Sequence, residues 1–425
     1  MREKEIQNKT RLLRCLFVTL AALLPYSLSA QSGHISDSAW SDEVKTIELT
    51  RDGIALEMPL LTLGGEDHLV LSFDILGEQP EMLQYRIVHC DRDWKKDDME
   101  PYEYYSGFEV GNIENYESSF TTLQPYIHYS QSFPTYFDHF VISGNYVVSV
   151  FRQDMPDSIL LTRRFRVSEN AMGVELSVGR PTSGSRIMED QEVSVALQSD
   201  NSQYARPEYL TVVVQQNGRW DNIHTLPFSA YAAGRLCYRW KEENLFPGGN
   251  TFRYFDISNI HTPMYNVQRI ERYGGDFFAL LRPEEDRSHK SFSSGQSLNG
   301  GMKVNVWDRN PDEVNTQADY VWVNFSLPMS RPLLGGSIHI VGALTQWQLD
   351  EGSRMEWNPQ MKAYTHRLLL KQGYYAYQLL YLPAGEQVGQ TATLEGDHTE
   401  TANTYHVFVY YRGPGERYDR LIGTR

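Results

Sequence analysis

Residues 68–76 read HLVLSFDIL, and the order of apolar and polar side chains in this stretch decides the fold class. Apolar side chains occupy every second position from Leu69 to Ile75, and Ser72 and Asp74 lie between them. Successive side chains of a β-strand point to opposite faces, so this period of two predicts a strand with one face against a core and the other toward solvent.

The same pattern recurs along the chain. Further alternating runs occupy residues 144–151 and 191–198, and residues 160–167, 174–178 and 319–327 are predicted strands as well. Residues 209–220 join a β-branched run to Asn217-Gly218, which is a hairpin signal. The sequence has no convincing amphipathic helix with caps. Many short strands separated by Gly, Pro and Asn favour β-sandwiches over βαβ units, so we predict an all-β protein.

Two polar segments suggest domain boundaries. Residues 168–173 (SENAMG) separate two predicted strands, and residues 282–301 are charged and rich in Ser and Gly. The units between these breaks have the size of immunoglobulin-like sandwiches. We therefore expect three tandem immunoglobulin-like β-sandwiches, spanning residues 31–170, 171–310 and 311–425.

The first thirty residues have the form of a secretory signal peptide. Basic residues precede an apolar core at 16–24, and a run of small residues ends at Ala30. The core is shorter than the roughly 20 residues that span a bilayer. We expect cleavage after Ala30, export, and a soluble mature chain that does not insert into the membrane.

Charge and cysteine content exclude several classes of function. The full chain has a formal net charge of −15, and loss of residues 1–30, with five basic and two acidic side chains, would leave −18. An acidic chain without a basic run is unsuited to nucleic acid or to anionic membranes. Cys90 and Cys237 would be the remaining cysteines. They are too few for a disulfide framework or a Cys-rich zinc site, and we expect buried, free thiols.

Residues 84–98 (QYRIVHCDRDWKKDD) concentrate side chains that can bind metals. Residues 84–90 are a predicted strand, so His89 and Cys90 point to opposite faces and cannot share one ion. The residues that follow are a predicted turn, in which Asp91 and Asp93 bind turn backbone. A loose calcium site at these two aspartates remains an alternative.

An EF-type calcium loop starting at Asp91 is excluded. Such a loop needs Gly at its sixth position and Glu at its twelfth. Lys96 and Tyr102 occupy those positions. Trp94, within the same turn, is expected to cap the end of the sandwich core.

The common catalytic motifs are absent from the sequence. The sequence has no Gly-x-Ser-x-Gly elbow, no Gly-x-x-x-x-Gly-Lys loop and no His-Glu-x-x-His motif. Glu395 and Asp397 form a carboxylate pair near His398, for which we expect a solvated turn rather than a glycosidase site. We expect no enzymatic activity, no cofactor and no metal.

Residues 85–146 contain several distinctive motifs in a fixed order. They are Tyr85-x-Ile87-x-His89-Cys90-Asp91-x-Asp93-Trp94, Tyr104-x-x-Gly107-Phe108, Tyr126-x-His128-Tyr129 and Ser143-Gly144-Asn145-Tyr146, and segments 247–257, 371–381 and 401–423 follow. With these motifs, residues 85–129 resemble the plug protein family of the type IX secretion system, and the matching pieces cover nearly the whole mature chain. The resemblance implies a periplasmic protein that associates with the outer membrane through a protein partner. That partner is the large β-barrel of the translocon, whose pore the family closes when no cargo is passing. We expect a monomer in solution.

Residues 99–117 are the predicted barrel contact. This segment interleaves aromatic and acidic side chains, as interface loops often do. The candidate partner-binding residues are Tyr102, Tyr104, Tyr105 and Phe108. The alternative, that these aromatics pack onto their own sandwich, stays open.

Residues 335–377 carry a second resemblance, to glycogen-binding-type sandwich modules. In such modules exposed tryptophans stack on sugar rings, and Trp347 and Trp357 are the candidates here. Residues 343–346 (ALTQ) depart from the usual Phe-Asn before the first Trp. The alternative function is therefore a periplasmic carbohydrate-binding protein, and the rival interpretation is a shared fold with core or rim tryptophans.

Overall fold

The computed structural model describes residues 35–182, 184–295, 298–307, 309–310 and 313–425. The predicted signal peptide lies outside these residues. Among the helices that the structure describes, none is both long enough and apolar enough to cross a membrane.

Strands dominate the described residues. The N-terminal strands are β1 (Ser38–Ala39), β2 (Val44–Arg51), β3 (Leu60–Thr62), β4 (Leu69–Leu76), β5 (Leu83–Cys90), β6 (Tyr105–Ser106), β7 (Val110–Ile113), β8 (Asn115–Ser118), β9 (Tyr126–Phe133), β10 (His139–Phe140), β11 (Gly144–Arg152) and β12 (Met155–Ser168). The middle strands are β13 (Gly173–Gly179), β14 (Asp190–Gln198), β15 (Leu210–Gln216), β16 (Ile223–Leu226), β17 (Ala230–Ala232), β18 (Arg235–Tyr238) and β19 (Leu245–Pro247).

The remaining strands are β20 (Arg253–Asp256), β21 (Val267–Tyr273), β22 (Asp276–Leu281), β23 (Met302–Val304), β24 (Tyr320–Pro328), β25 (Gly336–Val341), β26 (Arg354–Asn358), β27 (Ala363–Lys371), β28 (Gly373–Pro383), β29 (Tyr405–Tyr411) and β30 (Arg420–Thr424). The helices are single turns: α1 (Pro101–Tyr104), α2 (Val314–Gln317) and 3₁₀ turns at Ser202–Ala205, Pro207–Tyr209, Glu242–Asn244 and Ala343–Thr345. The predicted all-β class is confirmed.

The first sandwich consists of two facing sheets. One has the order β1-β12-β11-β5-β7, with β3 paired to β12, and the other has the order β2-β4-β9-β8. Leu69, Leu71 and Phe73 of β4 lie in the core between them, as the alternating pattern predicted. The sandwich covers residues 38–168, close to the predicted 31–170.

The second sandwich is completed by the C-terminus of the chain. One sheet has the order β13-β14-β18-β17, with β19 paired to β14, and the other has the order β16-β15-β29-β30. The hairpin predicted around Asn217-Gly218 is confirmed as β15 and β16, which pair antiparallel. Because β29 and β30 belong here, the predicted contiguous range 171–310 is wrong.

Strands from residues 253–383 form a single nine-stranded sheet, which we call the third unit. Its order is β20-β28-β25-β26-β27-β24-β22-β21, with β23 paired to β28, and it surrounds its own apolar core. The polar segment 282–301 runs between β22 and β23 of this sheet. It is therefore a connection within one unit, and the predicted start of a third domain at residue 311 is wrong. The fold is not three contiguous tandem sandwiches.

Buried charges join the first sandwich to the third unit. Asp74 of β4 and Lys371 of β27 are both buried, with Nζ 2.6 Å from Oδ2. The hydroxyl of Tyr320 donates to the same carboxylate at 2.6 Å, and His128 Nδ1 lies 2.7 Å from its other oxygen. At Asp74, the face of β4 that the sequence pattern assigns to solvent is therefore covered by another unit.

Trp94 joins the first sandwich to the second. Its ring packs against Cys90 and Val147 and meets Trp220 edge-on, with ring centroids 5.4 Å apart. The prediction that Trp94 caps the core of its own sandwich is wrong, because the ring lies on the outer face of the β5–β11 sheet. Cys90 and Cys237 are free and buried as predicted, and burial raises the pKa of Cys90 to about 12.

Candidate functional site

The turn after β5 serves the fold. Asp91 Oδ1 accepts hydrogen bonds from the backbone N–H groups of Asp93 and Lys95, each at 2.9 Å. This confirms the predicted binding of turn backbone by Asp91. His89 lies among tyrosine rings in the first core while Cys90 packs on the opposite face, again as predicted. Within the described ranges, no group of three or more His, Cys, Asp or Glu side chains is placed to hold a metal ion.

Glu395 is a structural carboxylate. It is buried and accepts hydrogen bonds from Arg253 Nε at 2.9 Å, Arg287 Nε at 2.8 Å and the Leu379 N–H at 2.7 Å. Burial disfavours its charge, but the two arginines outweigh burial and hold the pKa of Glu395 below its usual value. Asp397 is engaged separately, by Arg186 at 3.0 Å. The expected solvated turn is therefore wrong, and Glu395 is unsuited to act as an acid.

Half of the predicted barrel contact is buried. Tyr104 is 3% exposed, and its hydroxyl donates to the Ile87 carbonyl at 3.2 Å. Tyr105 packs against Phe140 in the same core. These two side chains are inaccessible to a partner, so their nomination as contact residues is corrected. Tyr102 and Phe108 are exposed.

Three exposed rings lie on the two segments that strands β6 and β10 bring together. Strands β6 and β10 pair as a two-stranded ribbon, with Ser106 opposite His139, and this ribbon places the loop that follows β6 beside residues 134–138. Phe108 is 86% exposed, Phe137 is 89% exposed, and Tyr136 is exposed as well. We call Phe108, Tyr136 and Phe137 the aromatic tip. Exposed apolar surface of this kind marks interaction sites.

Strands β6 and β10, which flank the aromatic tip in the chain, are packed onto the core of the first sandwich. The ring of Tyr105 lies 5.1 Å from that of Phe140, and Phe140 lies 4.9 Å from Tyr146 in the core. The backbone N–H of Val141 donates to the Tyr104 carbonyl at 2.9 Å. A loop anchored in this way loses little freedom on binding, which favours affinity.

Sequence reasoning missed Tyr136 and Phe137. Residues 135–140 read TYFDHF, and this aromatic run breaks the period of two that marks the flanking strands. Adjacent rings cannot all face one core, because neighbouring strand side chains point to opposite faces. That conflict was the signal available in the sequence.

The two candidate sugar-binding tryptophans are half-buried in contacts with their own chain. Trp347 lies so close to Gly218 and Gly300 that a Cβ on either glycine would come within 2.3 Å of its ring. Trp357 packs edge-on against Tyr364 with centroids 5.2 Å apart. These contacts favour the rival interpretation of core or rim tryptophans, so we do not propose sugar binding.

Comparison with known proteins gives a specific match to the first sandwich. The family model "Type 9 secretion system plug protein 1st domain" matches residues 44–169, which begin at β2 and end just after β12. A search of the curated proteins finds no match.

Solved structures add a relative that spans the whole fold. The crystal structure of a hypothetical protein from Parabacteroides merdae ATCC 43184, at 2.30 Å, is 32% identical, with a TM-score of 0.89 over 92% of this chain and 98% of that chain. An alkylpurine DNA glycosylase from Pseudomonas fluorescens, bound to DNA with an abasic site analogue, is 16% identical over 29% of this chain and 30% of that chain. Its TM-score of 0.17 indicates no shared fold. The family match to its first domain shows that this chain belongs to the type IX secretion system plug protein family.

Proposed function

We propose that this protein closes the pore of the type IX translocon, the large outer-membrane β-barrel, from its periplasmic side when no cargo is passing. The observation that carries the proposal is the plug-family match to residues 44–169, which cover the first sandwich from β2 to β12. The role is mechanical and non-enzymatic. The protein would be held at the membrane by the barrel rather than by its own insertion.

The joints between units support this role because a stopper must resist deformation. Arg420 of β30 forms an ion pair with Glu169 at 2.7 Å, and the hydroxyl of Tyr410 of β29 donates to the Asn145 side-chain oxygen at 2.7 Å. These contacts attach two C-terminal strands to the first sandwich and the residue that follows it. The buried pair of Asp74 and Lys371 joins the first sandwich to the third unit. Relative movement of the units would break buried charged or polar contacts, which is costly.

We further propose that the aromatic tip is the barrel contact in the first sandwich. Its rings are bordered by acidic side chains, including Glu109 and Asp138. Aromatic anchors with a charged rim are typical of binding hot spots. These acidic side chains would also steer the tip toward a cationic surface on the barrel.

The double variant Phe108→Ser with Phe137→Ser should lose co-purification with the barrel at an unchanged melting temperature. Anchor residues cost about 2 kcal/mol or more of binding free energy on truncation. Both rings are exposed, so their loss leaves the core intact. Tyr273→Ser, which removes an exposed ring from the third unit, is the matched control and should retain binding. Unaltered co-purification of the double variant would show that the aromatic tip is not the barrel contact.

Deletion of the gene should make the outer membrane permeable to large antibiotics while cargo export remains at least partly active. A pore wide enough for folded cargo leaks when its stopper is missing. Growth on a large glycopeptide antibiotic measures the leak, with the wild-type gene as the restoring control. A deletion strain that stays impermeable while the translocon is idle would refute the plug function.

A further inference from the structure

A cavity of about 360 Å³ lies where the two sandwiches and the third unit meet. The first sandwich contributes residues of β2 and β12, and the third unit contributes Met302 and Trp347. The second sandwich contributes Gln215, Asn217, Gly218, Trp220 and His406. Cavities of this volume at junctions between units are the usual location of small-molecule sites.

Three arginines of β12 line this cavity. Arg163, Arg164 and Arg166 are each at most 8% exposed. Arg164 pairs with Asp37 at 3.5 Å, yet its Nε is buried without a hydrogen-bond partner among the described residues.

Arg163 and Arg166 bind neutral groups. Arg163 donates to the Gln346 side-chain oxygen at 3.0 Å and to the Ile47 carbonyl at 3.3 Å. Arg166 donates to the Tyr410 hydroxyl at 3.2 Å and lies over the Phe408 ring at 3.6 Å. In the part of the chain that the structure describes, neither guanidinium forms an ion pair with a carboxylate.

The carboxylates of the cavity do not balance these cations. Burial raises the pKa of Glu48 to about 7, so near neutral pH this side chain is incompletely ionised. Glu57 is paired with Arg51 at 2.9 Å, so its charge is already compensated by an arginine other than the three of β12. Among the residues that line the cavity, three guanidinium groups are therefore balanced only by Asp37 and a partly charged Glu48. Buried charge without compensation is unfavourable, and a bound anion would supply the compensation.

The lining also contains polar side chains such as Thr50, Gln215 and His406. Its apolar part includes Leu49, Met58, Met302, Ala343 and Trp347. A guanidinium fork matches a carboxylate in geometry, and apolar walls favour a ligand body that water solvates poorly. We infer that this cavity is a binding site for a small organic carboxylate with an apolar or aromatic body. The inference does not depend on the plug function.

Isothermal titration of the mature protein with 4-phenylbutyrate tests the inference. We expect saturable binding at millimolar concentration or below. The neutral analogue 4-phenylbutanamide should bind about tenfold or more weakly, since it lacks the charge that strengthens hydrogen bonds to arginine. Inorganic phosphate, an anion without an apolar body, should also bind more weakly. No saturable binding of 4-phenylbutyrate, or equal affinity for the amide or for phosphate, would overturn the inference.

Variants assign the binding to this cavity. Arg163→Gln should weaken binding of 4-phenylbutyrate about 10- to 100-fold. Arg367→Gln makes the same charge change at an exposed position of β27 and should leave the affinity unchanged. Ala343→Leu keeps every charge but narrows the cavity, so it should weaken binding even if Arg163→Gln does not fold. Unchanged affinity in Ala343→Leu, or an equal loss in Arg367→Gln, would place the binding elsewhere.

Discussion

Lys371→Met is expected to destabilise the protein by about 3–5 kcal/mol, because it leaves the Asp74 carboxylate buried without its cation. Both side chains are buried, and their contact of 2.6 Å joins the first sandwich to the third unit. Urea unfolding of the protein near pH 7 measures the loss. Lys95→Met removes an exposed lysine and should change the free energy of unfolding by about 0.5 kcal/mol or less. A similar small change for both variants would contradict the assignment.

The pH dependence of unfolding gives an independent measurement. Burial disfavours the Asp74 carboxylate, but Lys371 and His128 outweigh burial and hold the pKa of Asp74 below its usual value. In the wild type, this group therefore stabilises the fold above the ordinary Asp pKa of about 3.9, and that contribution is lost as pH falls through the lower folded value.

In Lys371→Met, burial should prevail and raise the pKa of Asp74. The destabilisation should then be largest near neutral pH and smaller near pH 4, where the carboxyl group takes up a proton. Unfolding curves of both proteins at the two pH values test this. A difference in stability that grows on acidification would show that the Asp74 carboxylate is not the group left unpaired.

Asp74 also shows how far the sequence alone could lead. The alternation in residues 68–76 correctly predicted strand β4 and its core face. It could not predict the burial of Asp74, because a period of two reports which face is apolar and nothing about what covers the polar face. The alternating pattern is the same whether the carboxylate at such a position lies in a buried ion network or in water.

Strand pairing was beyond the sequence for a related reason. Residues 405–411 are recognisable as a β-branched and aromatic strand, but their partner is β15, with Val409 opposite Val212. Contacts between segments so distant in the chain leave no periodic signature. Predicted domains therefore followed the chain, whereas the sheets do not.

The sequence could not tell which aromatic side chains of residues 99–117 are exposed, because this too depends on contacts between distant segments. Aromatic content pointed to residues 99–117, and Phe108 is indeed exposed. Tyr104 is buried because Ile87 and Tyr146, brought from other strands, surround it. Composition identifies an aromatic segment, while the fold decides which rings face a partner.

Trp94→Ala is expected to cost about 3–5 kcal/mol, the range for removing a large buried aromatic side chain. The ring fills the space between the two sandwiches, where it meets Trp220 edge-on and lies 4.8 Å from the Arg166 guanidinium. Trp307→Ala removes an exposed ring of the same size and should cost much less. Thermal or urea unfolding compares the two variants.

The variant Trp94→Gly tests the contribution of the backbone conformation at this position. The backbone φ of Trp94 is +62°, in the left-handed region that costs a residue with a Cβ about 1–2 kcal/mol. Glycine is free of this cost, although it gives up about 0.5–1 kcal/mol through the entropy of the unfolded chain. Trp94→Gly should therefore be at least as stable as Trp94→Ala, the reverse of the order at most positions. If Trp94→Gly is clearly less stable than Trp94→Ala, the turn adopts another backbone conformation once the ring is removed. The left-handed conformation of Trp94 would then not be required for its contact between the sandwiches.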